Sequence, residues 1–177
     1  MKPNIQKLLN ELDEFGQKNT GYYNISADTG KFLYNLVLIS KAKNILEVGT
    51  SNGYSTIWLG EATKQKKGKV TTIEISESKV RMAKENFERS KLNNIIKIIQ
   101  GDALKEIPKL KQRFDFMFID GIKKDYIKYL RLNEKNLKKN AIIVADNAII
   151  FKEKMKHYLN YLQNNKNYSS VLVPIGT

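Results

Sequence analysis

The chain has 177 residues, enough for one domain with a sizeable hydrophobic core and hardly enough for two. Its net charge of +13 admits a polyanion such as nucleic acid as a partner, although the lysines are scattered along the chain. The absence of cysteine excludes disulfides and thiolate metal sites. No apolar run approaches the ~20 residues of a membrane span, and the N-terminus lacks a signal-peptide core, so we expect a cytoplasmic protein without membrane contact.

Two helices are predicted before the first strand. Apolar residues from Ile5 to Phe15 recur at helical spacing, and Gly16 is expected to end that helix. A polar loop covers residues 17–25, after which Ser26 or Asp28 can cap a second helix. The apolar residues of the second helix that we expect to pack on the sheet are Phe32, Leu33, Leu36, Val37 and Ile39.

Strands and helices then alternate to the end of the chain. The expected strands cover residues 44–48, 70–75, 95–100, 114–119, 141–145 and 169–175. Five helices are expected between and after these strands. The first follows the first strand and ends at about residue 63, the second runs from 76 to about 91, the third covers 103–107 and the last covers 151–162. The fourth is marked by Tyr126, Tyr129, Leu130 and Leu137. This alternation predicts an α/β fold, a doubly wound and mostly parallel sheet with helices on both faces. All strand C-terminal ends then lie along one edge of the sheet.

The first strand runs into a glycine loop with the spacing Gly49-x-x-x-Gly53, followed by a helix that Ser55 can cap. Units of this kind hold nucleotide-like ligands, and Ser51 lies between the two glycines among the expected contacts. A dinucleotide loop has the spacing Gly-x-Gly-x-x-Gly, and Glu47 would repel a phosphate but suits a sulfonium or ammonium group. The loop therefore favours S-adenosylmethionine over NAD, with a ligand-free glycine turn as the alternative.

An acid stands at or just after the end of each of the first five strands, in a chain that is short of acids. These acids are Glu47, Glu74, Asp102, Asp120 and Asp146. Glu74 is placed to accept the ribose hydroxyls of an adenosine. Asp102 can reach the adenine amino group or cap its own short helix, and Glu47 and Asp120 would lie near an amino-acid moiety.

A second set of side chains follows strands four and five. Asp120, Asp146 and Asn147 would bring two carboxylates and an amide oxygen together, and such ligands suit Mg²⁺. A polar strand end with a helix cap is the alternative. Lys123, three residues after Asp120, can act as a base beside a divalent cation, although a solvated surface role is common for one lysine among many. His157, the only histidine, falls within the last helix and receives no role.

Five stretches together resemble the cation-dependent O-methyltransferases, the family of caffeoyl-CoA and catechol O-methyltransferases. They cover residues 45–55, 72–75, 101–103, 118–123 and 145–147, within a resemblance that runs from about Gly30 to Ile175. The resemblance implies a Rossmann-like methyltransferase fold. It implies that S-adenosylmethionine is contacted by Glu47, Gly49, Ser51, Gly53, Ser55, Glu74, Asp102, Ala103 and Asp120. It also implies that Asp120, Asp146 and Asn147 hold Mg²⁺ or a similar cation, and that Lys123 is the base, with Asp120 beside it as the second catalytic residue.

The two ends of the chain carry further expectations. We expect a single methyltransferase domain over residues 1–177, with an N-terminal helix and loop over 1–25 and a Rossmann-like core over 26–177. The family normally carries a longer N-terminal segment and a last hairpin strand, whereas about 25 residues precede the resemblance here and the sequence stops at Ile175-Gly176-Thr177, so we expect a sheet without that strand. We therefore expect either that residues 169–175 pair directly with strand five, or that a second subunit covers its open edge, as in a homodimer.

Three functions follow from these observations. The first is a metal-dependent O-methyltransferase acting on a small catechol-like acceptor. The second is the same chemistry on a 5-hydroxyuridine of tRNA, which the positive net charge would help. The third, from a different class, is a non-catalytic adenosine- or RNA-binding module that retains the fold. The presence of Asp120, Lys123, Asp146 and Asn147 argues against the third.

Overall fold

The structure is a computed structural model that describes residues 3–176, so the expected domain limits at Met1 and Thr177 lie outside the described residues. Seven α-helices and five β-strands alternate along the described chain. The helices are α1 (Pro3–Lys18), α2 (Ala27–Ser40), α3 (Tyr54–Lys64), α4 (Glu77–Arg89), α5 (Ala103–Glu106), α6 (Tyr126–Asn133) and α7 (Lys152–Asn164). The strands are β1 (Asn44–Val48), β2 (Lys69–Glu74), β3 (Ile96–Gln100), β4 (Phe114–Ile119) and β5 (Leu137–Ala145).

All five strands are parallel and lie in the order β3-β2-β1-β4-β5. The order reverses between β1 and β4, so the loops that leave these strands diverge and open a crevice at their carboxyl ends. The register places Val48 beside Ile119, and Ile119 beside Ala145. The residues that follow these three positions therefore meet at one edge, and the predicted doubly wound sheet is confirmed.

The sheet is covered on both faces by apolar residues. One buried cluster joins β1 and β4 to α1, α2, α3 and α4, with Leu33, Ile57 and Phe87 among its members. The other joins the opposite face to α5, α6 and α7, with Tyr126, Leu130 and Met155 among its members. The central strands are buried on both faces, as their continuous apolar sequences require. No helix within residues 3–176 has the length and apolarity to cross a bilayer.

Three local expectations about helices were wrong. Gly16 does not end α1, which continues to Lys18. The glycine instead allows close packing, since a side chain there would collide with Asn24 and the carbonyl of Tyr22. Ile39 does not pack on the sheet but is 78% exposed near the end of α2. Leu137 is the first residue of β5, since α6 ends at Asn133 and a 3-10 turn follows it. The predicted cap at Ser26 is confirmed, because its hydroxyl accepts the Thr29 N–H.

Residues 169–175 do not form the predicted last strand. Val171 and Leu172 are 84% and 60% exposed, and within residues 3–176 no strand pairs with the outer side of β5. The segment instead runs toward the start of α2, where a side chain at Gly176 would meet the hydroxyls of Ser26 and Thr29. A strand is stable only with a neighbour in register, and Pro174 cannot donate a ladder hydrogen bond. Direct pairing with β5 was therefore a wrong expectation, whereas coverage by a second subunit stays a prediction.

Candidate active site

A cavity of about 600 Å³ opens at the carboxyl ends of the strands. Its walls come from the loops after all five strands and from the loop between α1 and α2. Ten of the twelve residues singled out in the sequence line it: Gly49, Ser51, Ser55, Glu74, Asp102, Ala103, Asp120, Lys123, Asp146 and Asn147. The two that do not are Glu47 and Gly53. Its size is that of a small-molecule site.

The glycine loop is shaped by two positions with positive φ. Gly49 has a φ of 96°, and a side chain there would collide with the backbone carbonyl of Asp120. Gly53 has a φ of 90° and no room for a side chain beside the ring of Phe87. Gly53 is also the residue before α3, so Ser55 lies inside the helix and is not its cap, contrary to expectation. Gly49 therefore draws the loop against β4, whereas Gly53 packs it on α4 and does not face the cavity.

Ser51 and Glu74 form one side of the cavity. Ser51 has a φ of 50°, an uncommon backbone conformation for a residue with a side chain. Its N–H donates to Glu74 Oε2 at 2.8 Å, and the N–H of Ser76 donates to Glu74 Oε1 at 2.9 Å. These bonds fix the Glu74 carboxylate at the cavity wall, where its remaining lone pairs can accept further hydrogen bonds. The Ser51 hydroxyl is buried and has no hydrogen-bond partner among the described residues.

Glu47 is fully buried behind this loop and is placed differently from the sequence expectation. Ser55 Oγ donates to Glu47 Oε1 at 2.6 Å, and Thr72 Oγ1 donates to Oε2 at 2.6 Å. Thr56 Oγ1 donates to Oε2 as well. Burial raises the pKa of Glu47 to about 7, and these three hydrogen bonds oppose the shift. The carboxylate is therefore held by the protein itself, and Ser55 stands between it and the cavity.

Asp102 caps its own short helix, one of the two roles open to it. Its carboxylate oxygen Oδ1 accepts the N–H of Leu104 at 2.9 Å. The same residue lines the cavity together with Ala103, so the cap does not remove it from the site. Because a carboxylate has about four lone-pair positions, one cap leaves it able to accept from a ligand.

Asp120 and Asp146 lie side by side because their strands are paired in register. The N–H of Asp120 donates to Val48 O at 2.8 Å, and the N–H of Asp146 donates to Ile119 O at 3.1 Å. Burial raises the pKa of Asp120 to about 6, an effect that Lys123 opposes and the charge of Asp146 reinforces. Burial also raises the pKa of Asp146. Two partly buried carboxylates therefore face one cavity, and Asn147, with a φ of 64°, follows them.

Lys123 is held at the same wall by two polar contacts. Its Nζ donates to Asp120 Oδ1 at 2.7 Å and to the hydroxyl of Tyr126 at 2.9 Å. The Lys123 and Asp120 side chains are each 18% exposed, so the pair is largely shielded from water. The 3-10 turn over Lys123–Asp125 brings the amine back over the end of β4. Lys124, by contrast, is exposed, as expected for a solvated lysine.

A family profile described as O-methyltransferase matches residues 3–166 of this chain. The chain belongs to the O-methyltransferase family. A catechol O-methyltransferase of Niastella koreensis is 37% identical over 129 residues, which are 71% of this chain and 58% of that protein. Another from Mycobacterium tuberculosis is 34% identical over 126 residues, 71% of this chain and 57% of that protein. The chain thus spans less than two thirds of the length of these relatives, while the resemblance read from its motifs is confirmed.

Solved structures agree with this assignment. The O-methyltransferase of Bacillus cereus in complex with SAH matches with a TM-score of 0.81 at 28% identity, over 94% of this chain and 81% of that chain. The O-methyltransferase TomG of Streptomyces achromogenes in complex with SAM matches with a TM-score of 0.81 at 25% identity, over 93% of this chain and 79% of that chain. The predicted Rossmann-like fold is confirmed.

Sequence reasoning missed several residues that shape this family member's site. Tyr23, Ile122 and Ile150 line the cavity and are strongly exposed, and Phe151 lies beside them. Tyr126 does not line the cavity but touches Lys123. Its position three residues after Lys123, at the start of α6, was the available signal. The exposed apolar residues carried no sequence signal, because only the tertiary structure places them around one opening.

Proposed function

We propose that this chain is a divalent-metal-dependent O-methyltransferase that methylates a hydroxyl beside a second oxygen, as in a catechol-like small molecule. The observation that carries the proposal is one cavity with two chemically distinct walls. One wall holds Glu74 and Asp102, which suit an adenosine, and the other holds the Lys123–Asp120 pair beside Asp146. A cosubstrate and an acceptor can therefore meet between them, and the membership of an O-methyltransferase family supports the same reading.

The cosubstrate that suits the first wall is S-adenosylmethionine. Glu74 is set to accept from ribose hydroxyls, and Asp102 with Ala103 borders the space that an adenine would fill. Ser51 lines the same cavity, and its buried hydroxyl has no hydrogen-bond partner among the described residues. A polar ligand in the cavity would supply the missing partner. Ser55 borders the space for the amino-acid moiety, and Glu47 acts through it by fixing its hydroxyl. We assign Gly49 and Gly53 to shaping the loop, since neither carries a side chain.

A divalent cation fits the second wall. Within residues 3–176 no three His, Cys, Asp or Glu side chains cluster as a metal site, and the set proposed here has two carboxylates and one amide. Asp120 and Asp146 both offer carboxylate oxygens. Burial raises the pKa of Asp120 and the charge of Asp146 raises it further, and a bound cation would offset both effects. Asn147 adds a neutral oxygen. Mg²⁺ prefers such hard oxygen ligands, so Asp120, Asp146 and Asn147 are the residues that would hold it.

The chemistry of the transfer comes from the bound groups, since S-adenosylmethionine supplies the methyl group and the cation lowers the pKa of an acceptor hydroxyl. The protein contributes position and a proton acceptor. Lys123 Nζ, in its neutral form, takes the proton that the acceptor hydroxyl loses. Asp120 keeps the amine at the wall, and the shared cavity aligns the two reactants, which supplies much of the rate enhancement.

The walls around the opening favour a flat, largely apolar acceptor. Tyr23, Ile122, Ile150 and Phe151 line the same cavity as Lys123, and the ring of Phe151 lies 5.9 Å from Lys123 Nζ. Apolar and aromatic side chains of this kind bury a ring and leave its oxygens for the polar wall.

The test is methyl transfer from isotope-labelled S-adenosylmethionine to catechols, with Mg²⁺ and with excess chelator. We expect transfer that the chelator abolishes and that Lys123→Met reduces to a small residual rate. The matched control is Lys124→Met, the exposed neighbour, which should retain full activity. Equal transfer in excess chelator would refute the metal role. Tight cofactor binding without transfer to any acceptor would instead support a non-catalytic binding module.

A second acceptor class is a 5-hydroxyuridine in tRNA, whose hydroxyl lies beside a carbonyl oxygen. The net charge of +13 is the observation that favours it, because phosphate binding by lysine and arginine dominates affinity for nucleic acid. Undermodified tRNA added to the same assay decides between the two acceptors. Transfer to tRNA that falls steeply with salt would favour this class, and transfer to catechol alone would exclude it.

We also propose that a second copy of the chain covers the outer edge of β5. That edge has no strand partner among residues 3–176, and Ile142 and Val144 on β5 are only partly buried. An open edge of this kind invites pairing with another chain. Analytical ultracentrifugation should show a dimer at micromolar concentration, and a monomer at every concentration would refute the proposal.

A further inference from the structure

Tyr126 is a fully buried tyrosine whose hydroxyl meets a lysine amine. Its ring packs edge-on against Tyr158, with ring centroids 5.9 Å apart, inside the cluster that joins α6 and α7 to the sheet. Its hydroxyl lies 2.9 Å from Lys123 Nζ. Packing fixes the ring, and the rigid ring fixes the hydroxyl, so the oxygen is a stationary acceptor under the floor of the cavity.

Lys123 is surrounded by groups that restrict its amine. Asp120 Oδ1 accepts one N–H at 2.7 Å, and Nζ lies 5.3 Å from the ring centre of Tyr126 and 5.9 Å from that of Phe151. A lysine side chain otherwise has four rotatable bonds and a large rotamer entropy. With two of the three outward positions on Nζ taken by Asp120 and Tyr126, the third is left for the cavity that Lys123 lines.

We propose that Tyr126 is a positioning residue, which holds Lys123 Nζ so that its remaining position faces the acceptor hydroxyl. The proposal rests on the proposed function, in which Lys123 takes the acceptor proton. Asp120 is also one of the proposed metal ligands, so its carboxylate oxygens would have to bind both the Lys123 amine and the cation. Tyr126 has no second hydrogen-bond partner among the described residues, and its hold on the amine does not depend on what Asp120 binds.

The chemistry of the hydroxyl suits this task. Burial raises the pKa of Tyr126 far above its usual value of 10, and the charges of Asp120 and Asp146 raise it further, so the hydroxyl stays neutral. A neutral hydroxyl accepts an N–H from the charged ammonium and from the neutral amine alike. Tyr126 therefore keeps one hydrogen bond to Nζ through the whole proton transfer, while the third position on Nζ gains or loses the proton.

The test compares Tyr126→Phe with Tyr158→Phe. Both remove one hydroxyl from a buried tyrosine of the same aromatic cluster, but Tyr158 lies off the cavity and does not bond Lys123. We expect Tyr126→Phe to lower kcat about tenfold, equivalent to about 1.4 kcal/mol, with KM and cofactor affinity unchanged. Tyr158→Phe should leave kcat unchanged. In the Lys123→Met background, Tyr126→Phe should cause no further loss, because a residue that acts only through Lys123 has nothing left to position.

A second readout needs no turnover. Reductive methylation of lysines, followed by peptide mass spectrometry, measures how freely each amine reacts, with exposed Lys84 as internal reference. Wild-type Lys123 should react slowly relative to Lys84, and several-fold faster in Tyr126→Phe but not in Tyr158→Phe. Equal labelling and equal kcat in wild type and Tyr126→Phe would overturn the proposal. If Tyr126→Phe does not fold, the wild type still decides, because labelling of Lys123 as fast as that of Lys84 would by itself overturn the proposal.

The two proposals fail in different ways. If the wild type methylates no acceptor, the proposed function fails, while the labelling ratio still decides whether Tyr126 holds the amine. If the wild type is active and Lys123→Met loses most activity, but Tyr126→Phe is indistinguishable from wild type by both readouts, only the inference about Tyr126 fails.

Discussion

Glu47 offers the sharpest test of how this site is built, through the variant Glu47→Gln. The carboxylate is fully buried and accepts from three hydroxyls, and burial raises its pKa from 4.5 to about 7. The folded protein therefore binds this proton more tightly than the unfolded chain does. Its contribution to stability is fully present below pH 4.5 and is lost as the pH rises through about 7.

The size of this effect follows from the two pKa values. A difference between 4.5 and about 7 corresponds to a loss of about 3 kcal/mol of unfolding free energy, at 1.36 kcal/mol per pH unit. Glutamine has nearly the same shape and does not titrate, so the variant should not show this loss. Asp120 and Asp146 also have raised pKa values, but they titrate in both proteins, so their own contributions largely cancel in the difference.

The assay is urea unfolding of both proteins from pH 4.5 to pH 8. We expect the wild type to lose about 3 kcal/mol more than Glu47→Gln across this range. If the two proteins lose stability equally as the pH rises, burial does not disfavour the ionised carboxylate, and the reasoning would be wrong.

Calorimetry on the same two proteins tests whether Glu47 contacts the cofactor. Because Glu47 lies behind Ser55, we expect S-adenosylmethionine affinity to change by less than about tenfold. A larger loss would indicate direct contact.

Three further predictions concern the two walls of the cavity. Glu74→Ala should weaken S-adenosylmethionine binding by about 1–3 kcal/mol, since buried ribose hydroxyls lose their acceptor, and unchanged affinity in calorimetry would refute the ribose role. Asp146→Ala should abolish turnover and weaken Mg²⁺ binding while cofactor affinity survives, which parallel titrations with metal and cofactor check; normal turnover would exclude Asp146 as a ligand. Lys123→Met should abolish most activity with metal affinity nearly unchanged, and a large loss of metal affinity in that titration would mean that Lys123 supports the ligand set rather than acting as the base.

Local patterns in the sequence were sufficient to predict the succession of strands and helices along the chain and to locate the acids at the strand ends. Apolar runs bounded by polar residues located the cores of all five strands. The signal is clearest for the central strands β1 and β4, because a strand buried on both faces has a continuous apolar sequence. Parallel pairing then requires the strand ends to share one edge, so Asp120 and Asp146 could be placed together in advance. The motifs around them were sufficient to recognise the family.

The tertiary structure decided where each side chain points and what it touches. From its position near the end of β1, Glu47 was expected to face the cavity. Instead, its carboxylate accepts hydrogen bonds from three hydroxyls of α3 and β2 and is fully buried. The 3-10 turn over Lys123–Asp125 places the Lys123 amine within hydrogen-bond distance of both Asp120 and the hydroxyl of Tyr126. Residues 169–175 have a strand-forming sequence but no neighbouring strand to pair with among residues 3–176. Hydrogen bonding and burial join residues that are distant in the chain, and local propensity carries no information about such partners.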